Sequence, residues 1–273
     1  MRKEVSVIIP VTRGKLAQKA EASVKAQSYS CLELIKVKAE GLNPAEARNK
    51  GAKKAQGKIL IFLDDDCEAQ ENWLAENLKA LAESKIGAVG GMVKGKSGAY
   101  FARSLDFANF TFAQSKKRRE IPVCAASLAI KKKIFQKVGG FDETMRVGED
   151  TDLCMRLKRL GYKTIYEPKI KVFHHHGRKT LKDLLFYQYN NGRIKGLTIE
   201  SRYPDNYWFL FLKKISYPAV YWLFVLPFAL LATAVAVGVN LKDRPEVLYL
   251  SPGIFLGKLA CQLGIFVWTL KKP

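Results

Sequence analysis

The sequence predicts an α/β fold with a mostly parallel sheet flanked by helices, followed by a C-terminal transmembrane helical hairpin. Mostly apolar runs such as VSVIIP (5–10) and KILIFL (58–63) alternate with helical patterns over residues 1–180. Strands buried on both faces have this composition, and the alternation is typical of a parallel sheet covered by helices. Residues 215–241 contain no charged residue over 27 positions, whereas a bilayer core requires about 20 helical ones.

The first 93 residues supply the alternation, with strands predicted at 5–10, 32–38, 58–63 and 86–93 and helices at 15–27, 43–55 and 71–84. The helix over 43–55 has the clearest start. Asn43 can cap it, Pro44 suits its first position, and Glu46 can complete a capping box. We therefore expect this helix to begin where those three residues lie.

Composition divides the chain into three predicted segments. Residues 1–180 form the α/β domain. Residues 181–214 are aromatic and basic, so they form either an amphipathic helix on the core or, as we favour, a segment at a membrane interface. Residues 215–273 form the two-helix anchor.

Two apolar stretches, 215–241 and 247–270, predict the hairpin, with KDRPE (242–246) as the turn between them. Lys258 falls inside the second stretch, where a lysine is costly unless it is paired or reaches the interface. Aromatic residues suited to an interface begin the first stretch: Tyr217, Tyr221 and Trp222. Flanking lysines predict a multi-pass protein of the cell membrane with its α/β domain in the cytoplasm: Lys213, Lys214, Lys271 and Lys272.

The net charge of +21 predicts an anionic partner, which could be nucleic acid, a membrane face or phosphorylated ligands. No nucleic-acid-binding module accompanies the charge, so that partner is disfavoured. The basic clusters at 116–119 and 131–133 fit a solvated face beside an anionic leaflet, or recognition of a phosphate-bearing lipid acceptor. Five dispersed cysteines without CxxC spacing argue against a zinc site and a disulfide framework, and favour a reducing compartment.

Three consecutive aspartates, Asp64, Asp65 and Asp66, follow the strand at 58–63. Ligands of open α/β sheets bind beyond the carboxyl ends of strands. Mg²⁺ prefers carboxylate oxygens and substrate phosphates, and Mn²⁺ accepts the same ligands and also tolerates histidine. A divalent cation that carries a diphosphate would cancel the repulsion among the aspartates. The simpler alternative is an acidic loop that ends a strand.

Two further groups carry potential chemistry. Glu149, Asp150 and Asp152 crowd the start of a predicted helix, where acids complement the helix dipole or supply a general base. All three histidines of the chain lie in VFHHH (172–176), and imidazole is a good ligand for metals such as Mn²⁺. At least one of these histidines is expected to be an ordinary surface residue.

Four stretches in this order resemble family 2 glycosyltransferases of the GT-A fold, over roughly residues 4–195. They are VSVIIP, GLNPAEARNKGAKKAQGKILIFLDDDC, VGGFDE…GEDTDLCMRLKRLGY and VFHHHGRKTL. The resemblance implies a metal site of Asp66 and His174, with Asp64 near the metal or the ribose. It implies Asp150 as the catalytic base, beside Glu149. It also implies a set of residues that bind the nucleotide sugar: Pro10, Val11, Glu40, Arg48, Asp64 and Asp65.

The sequence departs from this family in two informative places. Where many members carry an aspartate-rich loop that reads the base, this chain has KVKAEGLN, so Glu40 substitutes or the contact is lost. The QxxRW element of processive polymerases is not evident, which favours transfer of one sugar per encounter. The resemblance thus implies an inverting, metal-dependent enzyme that uses Mg²⁺ or Mn²⁺.

The expected donor is a nucleotide-diphosphate sugar, with a UDP-sugar as the first choice, and the expected acceptor is a lipid-linked or cell-surface glycan. Two other classes stay open. A non-catalytic, membrane-bound nucleotide-sugar binding or scaffold protein would bind donor without turnover. A basic membrane-surface or nucleic-acid adaptor would bind polyanions without needing Asp64 and Asp66.

Overall fold

The computed structural model describes residues 4–12, 14–29, 32–175, 177–202 and 218–270. The chain divides into two compact units. The sheet unit comprises residues 1–96 and 113–176, and the helical unit comprises residues 97–112 and 177–273.

An eight-stranded sheet forms the centre of the sheet unit. Its strands are β1 (Val5–Val11), β2 (Leu32–Lys38), β3 (Ile59–Leu63), β4 (Cys67–Ala69), β5 (Ile86–Gly95), β6 (Arg119–Glu120), β7 (Ser127–Lys131) and β8 (Lys163–His174). They follow the order β2-β1-β3-β7-β5-β8-β4, with β6 paired to β8. The α/β class is therefore confirmed.

The sheet is mixed rather than mostly parallel. Strand β1 is parallel to both β2 and β3, and β5 is parallel to β8. Strand β7 runs antiparallel to its neighbours β3 and β5, and β4 and β6 run antiparallel to β8. Alternating strands and helices indicate parallel strands, because antiparallel neighbours need no helical crossover. The alternation in the sequence therefore did not predict the antiparallel strand β7.

Five helices of the sheet unit cover this sheet: α1 (Gly14–Lys25), α2 (Pro44–Lys54), α3 (Trp73–Leu81), α5 (Lys132–Lys137) and α6 (Glu149–Arg159). The predicted capping box of α2 is confirmed. The Asn43 side chain accepts from the Glu46 N–H at 3.0 Å, and the Glu46 carboxylate accepts from the Asn43 N–H at 2.7 Å. Large side chains fill the core, among them Ile8, Phe62, Trp73 and Tyr166.

The helical unit contains α4 (Tyr100–Asn109), α7 (Leu181–Arg202), α8 (Pro218–Asn240) and α9 (Val247–Leu270). Within the described residues, one helical stretch, Val247–Val267, is long and apolar enough to cross a membrane, and Val225–Asn240 is a shorter apolar helix. The structure thus offers one candidate span where the sequence predicted two. The remaining residues that predicted the hairpin lie outside what is described. They are Tyr217, the four flanking lysines and the side chains of Tyr221 and Trp222.

Lys258, which is half-buried on α9, has a partner inside the helical unit. Its ammonium group donates to the carbonyl oxygen of Ala108 at 2.6 Å. Because Ala108 lies at the C-terminal end of α4, the lysine satisfies a carbonyl that the helix itself leaves unpaired. The energetic cost of a lysine in the second apolar stretch is therefore offset by this hydrogen bond.

Candidate active site

The first part of the site lies where the parallel strands β1 and β3 end together. The backbone N–H and the hydroxyl of Thr12 both donate to one carboxylate oxygen of Asp65, at 2.6 and 2.8 Å. Asp65 is buried, so this aspartate ties the end of β1 to the end of β3. Pro10 and Val11 are the last two residues of β1 and lead directly into this junction.

Arg48 on α2 joins two carboxylates that are far apart in sequence. Its guanidinium donates to Asp64 at 2.6 Å and to Glu149 at 2.7 Å. Burial opposes the charge of Arg48, but the two carboxylates outweigh that effect and raise the pKa of Arg48. The resemblance implied that Arg48 binds the nucleotide sugar, which stays a prediction; in the structure its guanidinium joins the DDD segment to the start of α6.

The adjacent acids Glu149 and Asp150 differ in their surroundings. Glu149 is buried against Arg48, and its burial raises the pKa of the carboxyl group. Asp150 is half-buried and accepts hydrogen bonds from the backbone N–H groups of Ala125 at 3.2 Å and Thr151 at 2.7 Å. Of this pair, Asp150 is therefore the one that solvent or a substrate can reach.

Strand pairing brings Asp66 to His174. Cys67, the first residue of β4, lies opposite His174, the last residue of β8. The imidazole Nε2 of His174 is 3.3 Å from a carboxylate oxygen of Asp66, and both side chains are largely buried. A carboxylate oxygen and an imidazole nitrogen together suit Mn²⁺, so this pair fits the metal that the resemblance implies.

No cluster of three or more His, Cys, Asp or Glu side chains that could hold a metal occurs in the part of the chain that the structure describes. This does not exclude the predicted site. Mg²⁺ in nucleotide sites is commonly held by one or two carboxylates together with substrate phosphates. A protein contribution of Asp66 and His174 is consistent with that pattern, and the metal assignment stays a prediction.

His175 has a different role from His174. Its backbone N–H donates to the Asp66 carbonyl at 2.7 Å, and its ring nitrogen lies 2.7 Å from a Glu68 carboxylate oxygen. Lys96 binds the same oxygen at 2.9 Å. His175 therefore braces β8 against β4, while His176 lies outside the described residues.

Glu40 lies in the turn after β2 and is exposed. Because β2 neighbours β1, this turn follows the strand next to the Thr12–Asp65 junction, but the structure does not test whether Glu40 contacts a base. In the basic cluster at 116–119, Arg118 binds Glu83 at 2.5 Å and Glu167 at 3.5 Å. Part of that cluster is thus engaged within the protein.

Sequence reasoning missed three contributors to the site. Thr12 orients Asp65, the backbone of Ala125 orients Asp150, and Glu68 orients His175. Threonine and glutamate are common surface residues, and a backbone N–H has no sequence signature. Only the pairing of the strands identifies these contributors.

Comparison with known proteins agrees with this geometry. Residues 15–139 match the family model of Glycosyl transferase family 2. The pre-mycofactocin glycosyltransferase of Mycobacterium tuberculosis is 32% identical over 180 residues, which cover 59% of this chain and 36% of the relative. The chain thus spans about a third of the length of that relative.

Two solved structures share the fold. The mannosyltransferase PcManGT from Pyrobaculum calidifontis, in complex with GDP-Man and Mn²⁺, aligns with a TM-score of 0.61 at 20% identity, over 100% of this chain and 89% of its own. GalNAc-T7 with UDP, GalNAc and Mn²⁺ aligns with a TM-score of 0.50 at 14% identity, over 75% of this chain and 52% of its own. The GT-A fold is therefore confirmed.

Proposed function

We propose that this chain, of which residues 15–139 match the family 2 glycosyltransferase model, transfers a single sugar from a nucleotide-diphosphate sugar, with inversion, to a lipid-linked or cell-surface glycan acceptor. A UDP-sugar is the first choice of donor. GDP-sugars are equally to be tested, because GDP-Man and UDP accompany the two structural neighbours.

One observation carries this proposal. Asp64 of the DDD segment and Glu149 at the start of α6 are joined through the guanidinium of Arg48. The same segment reaches His174 through Asp66. Side chains separated by more than a hundred positions thus occupy one edge of the sheet, where α/β proteins bind nucleotides.

Each residue has a distinct task in the proposed reaction. Asp66 and His174 would hold the Mn²⁺ or Mg²⁺ ion, which when bound would offset the charge of the departing diphosphate. Asp65 and Thr12 hold the end of β1, with Pro10 and Val11, in place for the nucleotide, and Glu40 is the candidate for the base. Arg48 and Glu149 act as positioning residues.

Asp150 is the proposed general base. It would take the proton from the acceptor hydroxyl as that oxygen forms a bond to the anomeric carbon, while the bond from that carbon to the diphosphate breaks. The Ala125 and Thr151 N–H groups donate to the carboxylate and fix its orientation. Attack opposite the departing diphosphate inverts the anomeric centre.

The proposed acceptor is consistent with a membrane setting. The candidate span in α9 and the net charge of +21 both suit attachment beside an anionic leaflet. We accordingly propose a membrane-associated enzyme with its sheet unit in the cytoplasm.

The Asp150→Asn variant tests the proposal. Thermal-shift screening with UDP-, GDP- and dTDP-sugars and Mn²⁺ first identifies the donor. Asp150→Asn is expected to keep the donor-induced shift and to lose about 10²–10⁴-fold in transfer, as for removal of a general base.

The matched control is Asp243→Asn, which makes the same chemical change in the turn between α8 and α9. It should transfer at the unsubstituted rate. Full activity of Asp150→Asn would remove Asp150 from its role. Metal-dependent donor binding by the unsubstituted protein, with no turnover of any nucleotide sugar, would instead support the non-catalytic scaffold.

A further inference from the structure

Helix α8 is arranged in the opposite way to a helix of a water-soluble protein. Among its described side chains, at 225–240, five large apolar ones are exposed: Leu226, Phe228, Leu230, Leu231 and Val235. Leu231 is the extreme case, with 61% of its surface exposed. Positions 218–240 contain no charged residue. The outward face therefore has no charged group that water could hydrate.

The buried face of α8 is mostly small or polar. Ala229, Thr233, Ala236 and Asn240 are all buried. The Asn240 amide donates to the carbonyls of Thr111 and Ala236, each at 2.9 Å, and the Thr233 hydroxyl donates to Ala229 at 2.8 Å. Small and polar residues toward protein, with large apolar residues outward, are typical of helices that face lipid.

The turn between α8 and α9 is bound to α4. Glu246 forms an ion pair with Arg103 at 3.3 Å, and the Arg244 guanidinium lies 5.3 Å from the centre of the Phe107 ring. The bond from Asn240 to Thr111 joins the same two parts of the unit. The turn at 241–246, which is the tip of the hairpin, therefore lies on the same side of a bilayer as α4.

Chain connectivity keeps α4 on one side of a bilayer. Residues 97–112 are inserted between β5 and β6, so both ends of this 16-residue segment return to the sheet. Crossing a core of about 30 Å twice would take about 18 fully extended residues. Ten of the 16 residues are instead helical, at about 1.5 Å each. The tip at 241–246, which is bound to α4, therefore stays on the side of the bilayer where residues 97–112 begin and end.

Helix α9 cannot leave its polar neighbour α7. A Cβ on Gly264 would lie 2.0 Å from the Tyr189 carbonyl oxygen, and one on Gly192 would lie 1.9 Å from that of Cys261. The two backbones are therefore in contact. Helix α7 carries charged residues along this length, at Lys182, Asp183, Arg193 and Lys195, and a spanning α9 would draw them into hydrocarbon.

We infer that the α8–α9 hairpin enters one leaflet of a membrane through the outward face of α8 and does not cross the bilayer. The occupant of that face is the acyl region of the leaflet, with anionic headgroups held by the basic protein. This differs from the sequence prediction, which placed the turn at 242–246 on the far side. A second copy of the chain is the alternative occupant of that face.

Cysteine accessibility tests the topology. Lys242→Cys in the tip and Lys79→Cys at an exposed position of α3 are each compared with the unsubstituted chain as the labelling baseline. A membrane-impermeant maleimide is added to sealed right-side-out and sealed inverted vesicles from expressing cells. Both positions should label in the same preparation. Labelling of the two positions in opposite preparations would overturn the inference.

Vesicle flotation tests the occupant. Leu230→Glu with Leu231→Glu should fold normally, because both side chains are exposed, and should lose at least tenfold in binding to vesicles of phosphatidylcholine with phosphatidylserine. Leu160→Glu, at an exposed leucine of the sheet unit, is the matched control and should bind as before.

Two results would overturn the lipid assignment. One is flotation unchanged by the double substitution. The other is a dimer seen by light scattering without lipid that the double substitution dissolves, because a second copy would then cover α8. Neither measurement depends on sugar transfer.

Discussion

The sheet unit and helix α8 place the same kinds of side chain in opposite positions. In the sheet unit, Phe62, Trp73 and Tyr166 are inside, and charged groups gather at the carboxyl ends of the strands. In α8, Ala229 and Asn240 are inside and the leucines are outside. The contrast shows two kinds of packing: large apolar side chains fill the core of the sheet unit, whereas small and polar side chains let α8 pack closely against its neighbours.

The sheet unit and the helical unit also differ in how a cationic side chain is paired. Arg48 is matched by two carboxylates, which makes a charged network that specifies how distant segments meet. Lys258 is matched by a backbone carbonyl, which satisfies a helix end without a counter-ion. Substitutions that remove one partner should therefore have their largest effect in the sheet unit.

The largest expected effect on stability comes from Arg48→Met. This change leaves Glu149 buried without its cation and releases Asp64 from α6, so we expect a loss of about 3–5 kcal/mol in the free energy of unfolding. Chemical denaturation followed by circular dichroism measures it. Lys36→Met, which breaks an exposed bond to Glu21, is the control and should leave the free energy of unfolding nearly unchanged. Equal losses in the two variants would contradict the buried network.

A smaller effect is expected from Gly264→Ala in α9. The new methyl group would meet the Tyr189 carbonyl, so the helical unit should lose about 1–3 kcal/mol by overpacking. Gly238→Ala on α8 is the matched control, because no atom lies within 4 Å of its added Cβ. That variant should gain up to about 1 kcal/mol from helix propensity. Thermal unfolding in detergent compares them, and a stabilising Gly264→Ala would refute the close contact of α7 with α9.

The smallest expected effect comes from Glu68→Gln, which removes a charge that binds His175 and Lys96. The strand carrying His174 should be held less firmly, and Mn²⁺ affinity measured by electron paramagnetic resonance should fall about tenfold, as for partners of metal ligands elsewhere. Glu120→Gln breaks the exposed bond to Lys163 and is the control. A tenfold loss in both variants would show a general charge effect and not positioning.

Local features were readable from the sequence because their causes are local. The capping box of α2 depends on residues three positions apart, and the DDD segment follows directly from an apolar strand. Both were confirmed where they were predicted. Residue type and spacing did not separate the roles of His174 and His175, which only the resemblance distinguished, since the difference depends on Cys67 and Glu68 of β4, more than a hundred positions away.

The sequence by itself determined the α/β class, the family resemblance and the presence of an apolar C-terminal region, because residue type and spacing are sufficient for each. Only the tertiary structure decided the mixed strand order, the partners of Arg48 and the face that α8 turns outward. Those depend on which distant segments pack together. The interaction energy between two distant side chains cannot be inferred from the sequence of one segment, because the interaction forms only when the fold brings both side chains into contact.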